Sequence, residues 1–375
     1  MARAQVVISV NDTVNFRLGI LLQPSADFLQ DPVSQGYSEN LFLRRVRLLV
    51  AGSVAKDVTF FFDTDNSRLG SAGATGVKVI NSGIEVLDAF GEWRVFGDDR
   101  FVVDAGKLVI PFTRNTLQSI SSALALDAGN FTFNQNAAMQ TDSGRDVGVQ
   151  VKSYLAGDHL EVRGGVFDGL RSPGNAAGAG SRNALRWVGR AVYNFFDTEK
   201  GYVSAGVNLG KKKILAIGAA YDAQGTYRAR AADLMIDWPV SGKTDAADGQ
   251  SAFTAHVDYI HFDGGCGLTA AGTRSTDCLI PSVTAQDEVF TDAGFYFVDW
   301  KLQPFLRYEW NGFRDEVDRR GDARRYMAGF NYYFAQQSFK VAAAYERIVP
   351  RVAASAAWKQ KNTNHFVVQF QIFYF

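Results

Sequence analysis

The sequence lacks the features that mark nucleic-acid-binding proteins, helical membrane proteins and disulfide-stapled domains. Its 39 Lys and Arg residues balance 39 Asp and Glu residues, so no net field attracts a polyanion and we expect no nucleic-acid partner. Its longest apolar runs reach about ten residues, whereas a transmembrane helix needs about twenty. Its two cysteines are too few for a disulfide scaffold or a cysteine-based zinc site. Transmembrane helices are therefore excluded.

The sequence is rich in aromatic residues, and its apolar and polar residues alternate with a period of two. The chain has 6 Trp, 14 Tyr and 29 Phe residues, and apolar and polar residues alternate in segments bounded by Gly, Asp, Asn or Ser. In residues 14–23 one parity reads Val, Phe, Leu, Ile and Leu, and the other is mixed and polar. The same split recurs at 184–196, 302–310 and 324–334. The pattern predicts an all-β chain.

Apolar and polar residues alternate in the strands of a membrane barrel and of a soluble sandwich alike. Strand length distinguishes the two architectures. The segments run about ten to twelve residues, the length that crosses a bilayer at a tilt, whereas sandwich strands average about five or six. Aromatic residues gather at segment ends, as two interfacial girdles require. Because every backbone polar group in lipid must be paired internally, such strands must close into a barrel without edges. We therefore expect a closed antiparallel transmembrane β-barrel whose polar parity faces a wet lumen.

The alternation yields about seventeen candidate strands, and a bacterial single-chain barrel takes an even number. We therefore expect 16 strands, with 18 as the alternative, in one domain over residues 1–375. Short periplasmic turns alternate with long outer loops except around 211–286. We therefore expect the false or missing strand candidate in that region. The candidates are 13–23, 41–53, 55–63, 85–96, 100–110, 144–155, 158–168, 184–196, 201–210, 213–222, 229–238, 251–262, 287–298, 302–313, 323–334, 337–347 and 363–375.

Four motifs occur in an order that resembles the phosphate-selective porin O and P family. They are FLRRVRL at 42–48, FFFD at 60–63, DAFGEW at 88–93 and DAGKLVIPF at 104–112. The last is similar to the family's Gly-x-Phe-Lys-x-Pro-Phe segment, which leads into an inward-folded third loop. The resemblance covers residues 40–200 well and the middle third only loosely. It implies a sixteen-stranded, homotrimeric porin of the bacterial outer membrane, in contact with outer-membrane lipid.

The last strand supports this interpretation. In residues 364–375 one parity reads Phe366, Val368, Phe370, Ile372 and Tyr374, and the chain ends on Phe-Tyr-Phe. This resembles the aromatic signal of outer-membrane assembly. The alternative, the edge strand of a soluble sandwich, would be an aggregation hazard in water.

The polar parity assigns a set of charged side chains to the lumen, and two interpretations of that set stay open. The charges either pair across strands and shape the wall, or the arginines form a track that gives anions a path. Arg45 and Arg47 are the best candidates for such a track because they lie two apart on one face, while Arg44, on the opposite parity, is expected at the headgroup rim. The predicted pore-lining residues are Arg17, Arg45, Arg47, Arg94, Arg114, Arg163, Arg186, Arg190, Arg307, Arg325, Asp88, Glu92 and Glu309.

The segment 111–143 determines selectivity if it folds inward. It contains one basic residue, Arg114, and two acidic residues, Asp127 and Asp142, so its formal charge is −1. Its other residues are mostly small and polar. Such a constriction favours passive diffusion of small hydrophilic solutes or ions. An anion-preferring or phosphate-preferring channel is the alternative.

Two further hypotheses belong to other functional classes, and one further prediction concerns the cysteines. The pair His256 and Asp258 could orient an imidazole in an outer-membrane hydrolase, but no catalytic or P-loop motif occurs, so we expect no enzyme, cofactor or metal. A barrel sleeve around a partner protein is a structural alternative. In an outer loop, Cys266 and Cys278 are expected to form a disulfide worth about 3 kcal/mol.

Overall fold

The computed structural model of the protein describes residues 7–71, 83–129, 144–170, 184–241, 249–264, 285–314, 322–350 and 361–375. Sixteen long strands make up most of these residues. Within the described part of the chain, no helix is long and apolar enough to cross a membrane. The strands are β1 (Asn15–Gln30), β2 (Tyr37–Ala55), β3 (Val58–Asp65), β4 (Glu85–Arg94), β5 (Val102–Val109), β6 (Arg145–Leu155), β7 (Leu160–Phe167), β8 (Arg186–Asn194), β9 (Ile214–Gln224), β10 (Tyr227–Pro239), β11 (Ala252–Asp263), β12 (Gln286–Tyr296), β13 (Leu302–Phe313), β14 (Ala323–Ala335), β15 (Phe339–Pro350) and β16 (Thr363–Tyr374).

The strands form a closed antiparallel barrel. Each strand pairs with the next one along the chain, and β16 pairs with β1, so that Ile372 lies opposite Leu22 and the sheet has no free edge. A short strand, Val7–Ser9, adds to the start of β1. Closure satisfies the backbone groups that a membrane cannot. The prediction of an antiparallel 16-stranded barrel is confirmed, and the 18-stranded alternative is not the one that forms.

Alternation determines which face of each strand is apolar. Along β14, Phe330, Tyr332 and Phe334 keep 37–50% of their surface exposed, whereas Asn331 and Tyr333 between them are buried. The exposed parity carries aromatic and aliphatic side chains, which is the pattern of a lipid-facing wall. The buried parity carries most of the charged side chains, together with the apolar ones that pack on the inserts.

The connections divide between two ends of the barrel. One end, here called the turn end, holds Asn15, Tyr374 and short connections such as 56–57 and 336–338. The other, the loop end, holds long connections such as 110–144. Some connections depart from this rule, because 225–226 is a two-residue connection at the loop end, while 195–213 and 240–251 are long ones at the turn end.

One of the seventeen candidate strands is false, and it lies outside the region expected to hold the miscount. Residues 201–210 alternate like a strand but contribute only Ser204–Ala205, which pairs with Gln118–Ser119 instead of joining the barrel. Both faces of this segment contact protein in the interior. Its alternation of polar and apolar residues therefore does not reflect a lipid-facing side, as it does in the barrel strands. The expectation that the error lies in 211–286 was wrong.

Two segments fold into the barrel from opposite ends. The loop insert, residues 110–129, contains the short helix α1 (Arg114–Leu117), and the turn insert comprises residues 195–213. Ile110 and Phe112 of the loop insert pack on the inner face of β7 to β11. Farther on, Leu124 and Leu126 pack with Val207 and Leu209 of the turn insert against β12 to β15. Apolar contacts therefore join both inserts to that part of the inner wall.

Candidate functional site

The two inserts are joined to each other inside the barrel. Arg114 binds Glu199 with two hydrogen bonds, Nη1 to Oε2 at 2.6 Å and Nη2 to Oε1 at 3.0 Å, and it donates to the carbonyl of Ala205 at 2.8 Å. The Arg114 and Glu199 side chains are at most 10% exposed. A bidentate, buried ion pair of this kind positions one backbone against another. It determines how far each insert projects into the lumen.

Backbone contacts extend the junction. The amide of Val207 donates to the carbonyl of Ser122 at 2.9 Å, and the amide of Gly206 donates to Ser122 Oγ at 3.0 Å. A Cβ atom on Gly206 would lie 2.6 Å from the Ser122 carbonyl oxygen and 2.8 Å from Ala123 Cα. Only glycine permits this approach.

Polar side chains of the inner wall hold the backbone of the loop insert on several sides. Arg190 donates to the carbonyl of Phe112 at 2.9 Å, Arg307 to that of Asp127 at 2.7 Å, and Asn331 to that of Leu124 at 2.6 Å. Buried carbonyl groups need such donors. Two of the predicted pore-lining arginines therefore support the insert.

A cavity of about 910 Å³ remains between the loop insert and the wall formed by β1 to β4. Polar residues of the insert, such as Gln118, Ser119 and Ser121, face it from one side. Its charged lining residues are Arg17, Arg44, Arg45, Arg47, Arg68, Arg94, Arg145, Asp63, Asp65, Asp88, Glu92 and Asp127.

Positive charge exceeds negative charge in this lining, since seven arginines stand against five carboxylates. Two of the arginines make no ion pair with a carboxylate among the described residues. Arg17 lies 4.6 Å from the ring centre of Phe375, and Arg68 lies 4.7 Å from that of Phe42. Both contacts are cation–π interactions, which place no carboxylate in contact with the guanidinium group, although Arg68 also interacts electrostatically with Asp27.

Asp127 connects the loop insert to the opposite wall. Its carboxylate binds both Arg44 and Arg45 of β2, and Arg45 also donates to Gln23 at 2.8 Å. Burial alone raises the pKa of the Asp127 carboxyl, but the positive charges of Arg44 and Arg45 outweigh that effect and hold its pKa well below the usual range. The carboxylate therefore stays ionised at a lower pH than an ordinary aspartate.

Arg44 and Arg45 are adjacent in sequence and nevertheless face the same cavity. The ladder between β1 and β2 shifts register between Leu22 and Pro24, and such a bulge changes the local facing of side chains. The expectation that Arg44 lies at the headgroup rim was therefore wrong. A rule that assigns alternate residues to alternate faces cannot predict where a strand contains a bulge.

The other charges along this wall form short ion pairs. Arg47 contacts Asp63 and Asp65, each at 3.3 Å. Arg94 contacts Glu92 at 2.8 Å, and Lys152 reaches the other oxygen of Glu92 at 2.7 Å.

Asp88 is shared between two partners. Arg145 approaches it at 3.3 Å, and the hydroxyl of Tyr202, from the turn insert, donates to it. The same hydroxyl accepts the amide of Val109 at 2.6 Å. The turn insert is thereby attached to β4 and β5.

The remaining predicted pore-lining residues lie inside the barrel, and all of them except the half-buried Arg325 are buried. Arg163 pairs with Glu161 at 2.6 Å. Glu309 is 1% exposed on the inner face of β13. The other pairs are Arg186 with Asp222, Arg190 with Asp233, Arg307 with Asp292 and Arg325 with Glu346.

The pair His256 and Asp258 also serves the loop insert. Their side chains meet at 2.6 Å in a buried position, and the second oxygen of Asp258 accepts the backbone amide of Asn115 at 3.0 Å. No group of three or more His, Cys, Asp or Glu residues in the described part of the chain could hold a metal ion. Cys266 and Cys278 lie outside the described residues, and their disulfide remains a prediction.

Sequence reasoning missed three residues that shape the cavity: Arg68, Arg145 and Tyr202. Arg68 and Tyr202 lie in connections, where parity has no meaning, and Arg145 begins its strand. The motif DAFGEW contains Asp88, on which Arg145 and Tyr202 converge. A buried aspartate needs such partners, but its position in the motif does not identify them.

Comparisons with known proteins agree with this architecture. The model of the family Phosphate-selective porin O and P matches residues 19–229. No curated protein matches the chain. The solved structure of OmpF from Salmonella typhi in complex with daunomycin is similar at 13% identity with a TM-score of 0.60, over 98% of this chain and 100% of that one.

Two further solved structures share the fold. OmpT of Vibrio cholerae, in its trimer form, is 10% identical with a TM-score of 0.54, over 97% of this chain and 100% of that one. OccAB1 of Acinetobacter baumannii is 12% identical with a TM-score of 0.50, over 96% of each chain. The family match covers more than half of the chain. The chain therefore belongs to the phosphate-selective porin O and P family, and it is a porin of the bacterial outer membrane.

Proposed function

We propose that this porin is a passive diffusion channel with a mild preference for anions, and that its open path runs along the wall of β1 to β4 past the loop insert. The observation that supports this most strongly is the excess of arginines in the cavity, with Arg17 and Arg68 free of ion-paired carboxylates among the described residues. Guanidinium groups can replace water around a passing anion without trapping it.

The constriction in this proposal is formed by the loop insert. Gln118, Ser119 and Ser121 present uncharged polar groups to the cavity, while the charges of the insert are engaged by Glu199 and by Arg44 and Arg45. A neutral polar constriction admits small hydrophilic solutes as well as ions. The preference for anions then arises from the wall.

Phosphate selectivity, which the family description names, is the second candidate. Arg44, Arg45 and Arg47 lie close together in the cavity, and arginine matches phosphate geometry well. Each of them, however, already has a carboxylate partner. This favours weak, general anion preference over a dedicated phosphate site.

The proposal also covers catalysis and assembly. The family and the fold support a channel without catalysis, and the engagement of His256 and Asp258 with the insert supports a structural role for that pair. We also propose that residues 1–375 form one domain and that three copies associate, as the trimer form of OmpT does. An open cavity supports a pore better than a sleeve around another protein.

Solute uptake into liposomes tests the proposal. Swelling rates should be higher for a small organic anion than for a cation of equal size, with a neutral solute between them. Arg17→Gln combined with Arg68→Gln should remove the difference, and Arg100→Gln, in an exposed turn next to Asp98, is the matched control. Equal rates for all three solutes in the unaltered protein would refute the anion preference, and impermeability would refute the channel.

A further inference from the structure

Four aromatic side chains line the cavity near the turn end of the barrel. The ring of Phe61, on β3, lies 5.9 Å from that of Phe90 on β4, centre to centre, and 5.9 Å from that of Phe375. It also lies 5.6 Å from the ring of Tyr202, in the turn insert. Phe61, Tyr202 and Phe375 are only half-buried, so part of each ring faces the open space. We call the set Phe61, Phe90, Tyr202 and Phe375 the aromatic cluster.

The rings of the aromatic cluster are held in place by their surroundings. The ring of Tyr202 lies 4.4 Å from that of Phe90, and its hydroxyl donates to Asp88. Phe375 occupies space that Gly19 leaves open, because a Cβ atom on Gly19 would collide with the Phe375 ring. The cluster therefore offers a passing solute the faces and edges of fixed rings, which favour another aromatic group.

A guanidinium group without an anionic partner borders the aromatic cluster. Arg17 lines the same cavity, 4.6 Å from the ring centre of Phe375. It makes no ion pair with a carboxylate among the described residues, and its Nε atom is buried without a hydrogen-bond partner there. Arg47 and Arg94, by contrast, contact carboxylates. The cavity thus places a surface for an apolar ring directly beside a group that binds a carboxylate.

From this geometry we infer that, among small anions, the channel favours aromatic carboxylates of the benzoate kind. The carboxylate of such a solute pairs with Arg17, and its ring packs against Phe61 and Phe375. Arginine matches the planar shape of a carboxylate, and ring–ring contacts add an attraction that an aliphatic group of similar size lacks. The inference rests on the proposed diffusion path along β1 to β4 and adds a solute class to it.

The test compares three solutes of similar size in a planar bilayer that holds the assembled porin. Benzoate has a ring and a charge, cyclohexanecarboxylate has the charge without the aromatic ring, and benzyl alcohol has the ring without the charge. Benzoate should halve the open-channel KCl current at a concentration roughly threefold to tenfold below that of cyclohexanecarboxylate. Benzyl alcohol should leave the current unchanged.

Two variants separate the ring from the charge. Phe61→Leu keeps an apolar side chain and should remove the difference between the two acids, whereas Phe61→Tyr should retain it. Arg17→Gln should weaken the block by both acids alike and keep their order. Phe28→Leu is the matched control, since Phe28 is 41% exposed opposite Phe366 on the outer wall, and it should behave like the unaltered protein.

Other results would overturn the inference. Equal block by benzoate and cyclohexanecarboxylate in the unaltered porin would do so, as would a block by benzyl alcohol as strong as that by benzoate. A benzoate preference that persists in Phe61→Leu would place the site elsewhere. The reversal potential in KCl tests the proposed function separately: an anion-selective value with equal block by both acids refutes only this inference, whereas a cation-selective value refutes both.

Discussion

At the scale of single residues, one carboxylate determines how the loop insert lies against the channel wall. Asp127 neutralises Arg44 and Arg45 together. In Asp127→Asn the insert loses this anchor, and the cavity lining loses one negative charge. We expect a larger single-channel conductance, more open-channel noise and a stronger anion preference, because two arginines become free.

Asp98→Asn is the control for this variant, since Asp98 pairs with Arg100 in an exposed turn. It should conduct like the unaltered protein. A shift of Asp127→Asn toward cations, or unchanged conductance, would show that the carboxylate does not restrain the insert.

The anchor should also resist acid. A carboxyl whose pKa is lowered on folding contributes stability that is lost only as the pH falls through the lower, folded-state value. The pKa of Asp127 is held below the usual range by Arg44 and Arg45, whose charges outweigh the raising effect of burial. We therefore expect open-channel noise to stay constant from about pH 7 to about pH 4, whereas an ordinary aspartate begins to protonate near the lower limit. Noise that rises around pH 5 in the unaltered protein, but not in Asp127→Asn, would contradict this account.

At the scale of elements, the junction of the two inserts depends on a close backbone approach. Gly206→Ala places a Cβ atom within 3 Å of Ser122 and Ala123, so the inserts must separate while the barrel still assembles. We expect higher and less stable conductance. Gly164→Ala is the matched control, because a Cβ atom there meets nothing within 4 Å. If both variants conduct alike, the inserts do not limit the pore.

Alternation predicted the strands well and the inserts poorly, for a physical reason. A strand with lipid on one face and a polar interior on the other must alternate, so β8 and β13 were placed within a few residues of their bounds. Residues 201–210 alternate too, but between contacts with the loop insert and with polar wall groups. Local pattern cannot distinguish these two surroundings. Ion pairs between neighbouring strands, such as Arg307 with Asp292, were one of the two interpretations that the polar parity left open. The pair of Arg114 with Glu199 joins the two inserts, and no strand pattern predicts it.

At the scale of the whole molecule, the two faces of the wall should respond oppositely to charge. Val368 lies outward near the middle of β16 and is 38% exposed. Val368→Arg should cost about 2–4 kcal/mol at the bilayer midplane and reduce assembly, whereas Val368→Leu should assemble normally. The fraction of folded barrel on unheated gels measures the effect. Normal assembly of the arginine variant would mean that this face does not contact lipid.

The central claim concerns the sign of the channel's charge preference. The most direct measurement is the reversal potential across a planar bilayer in a KCl gradient, for the unaltered porin and for Arg45→Glu combined with Arg47→Glu. The excess of arginines along β1 to β4 predicts an anion-selective potential for the first and a shift toward cations for the second. A cation-selective potential in the unaltered porin, or no shift in the assembled variant, would contradict the account.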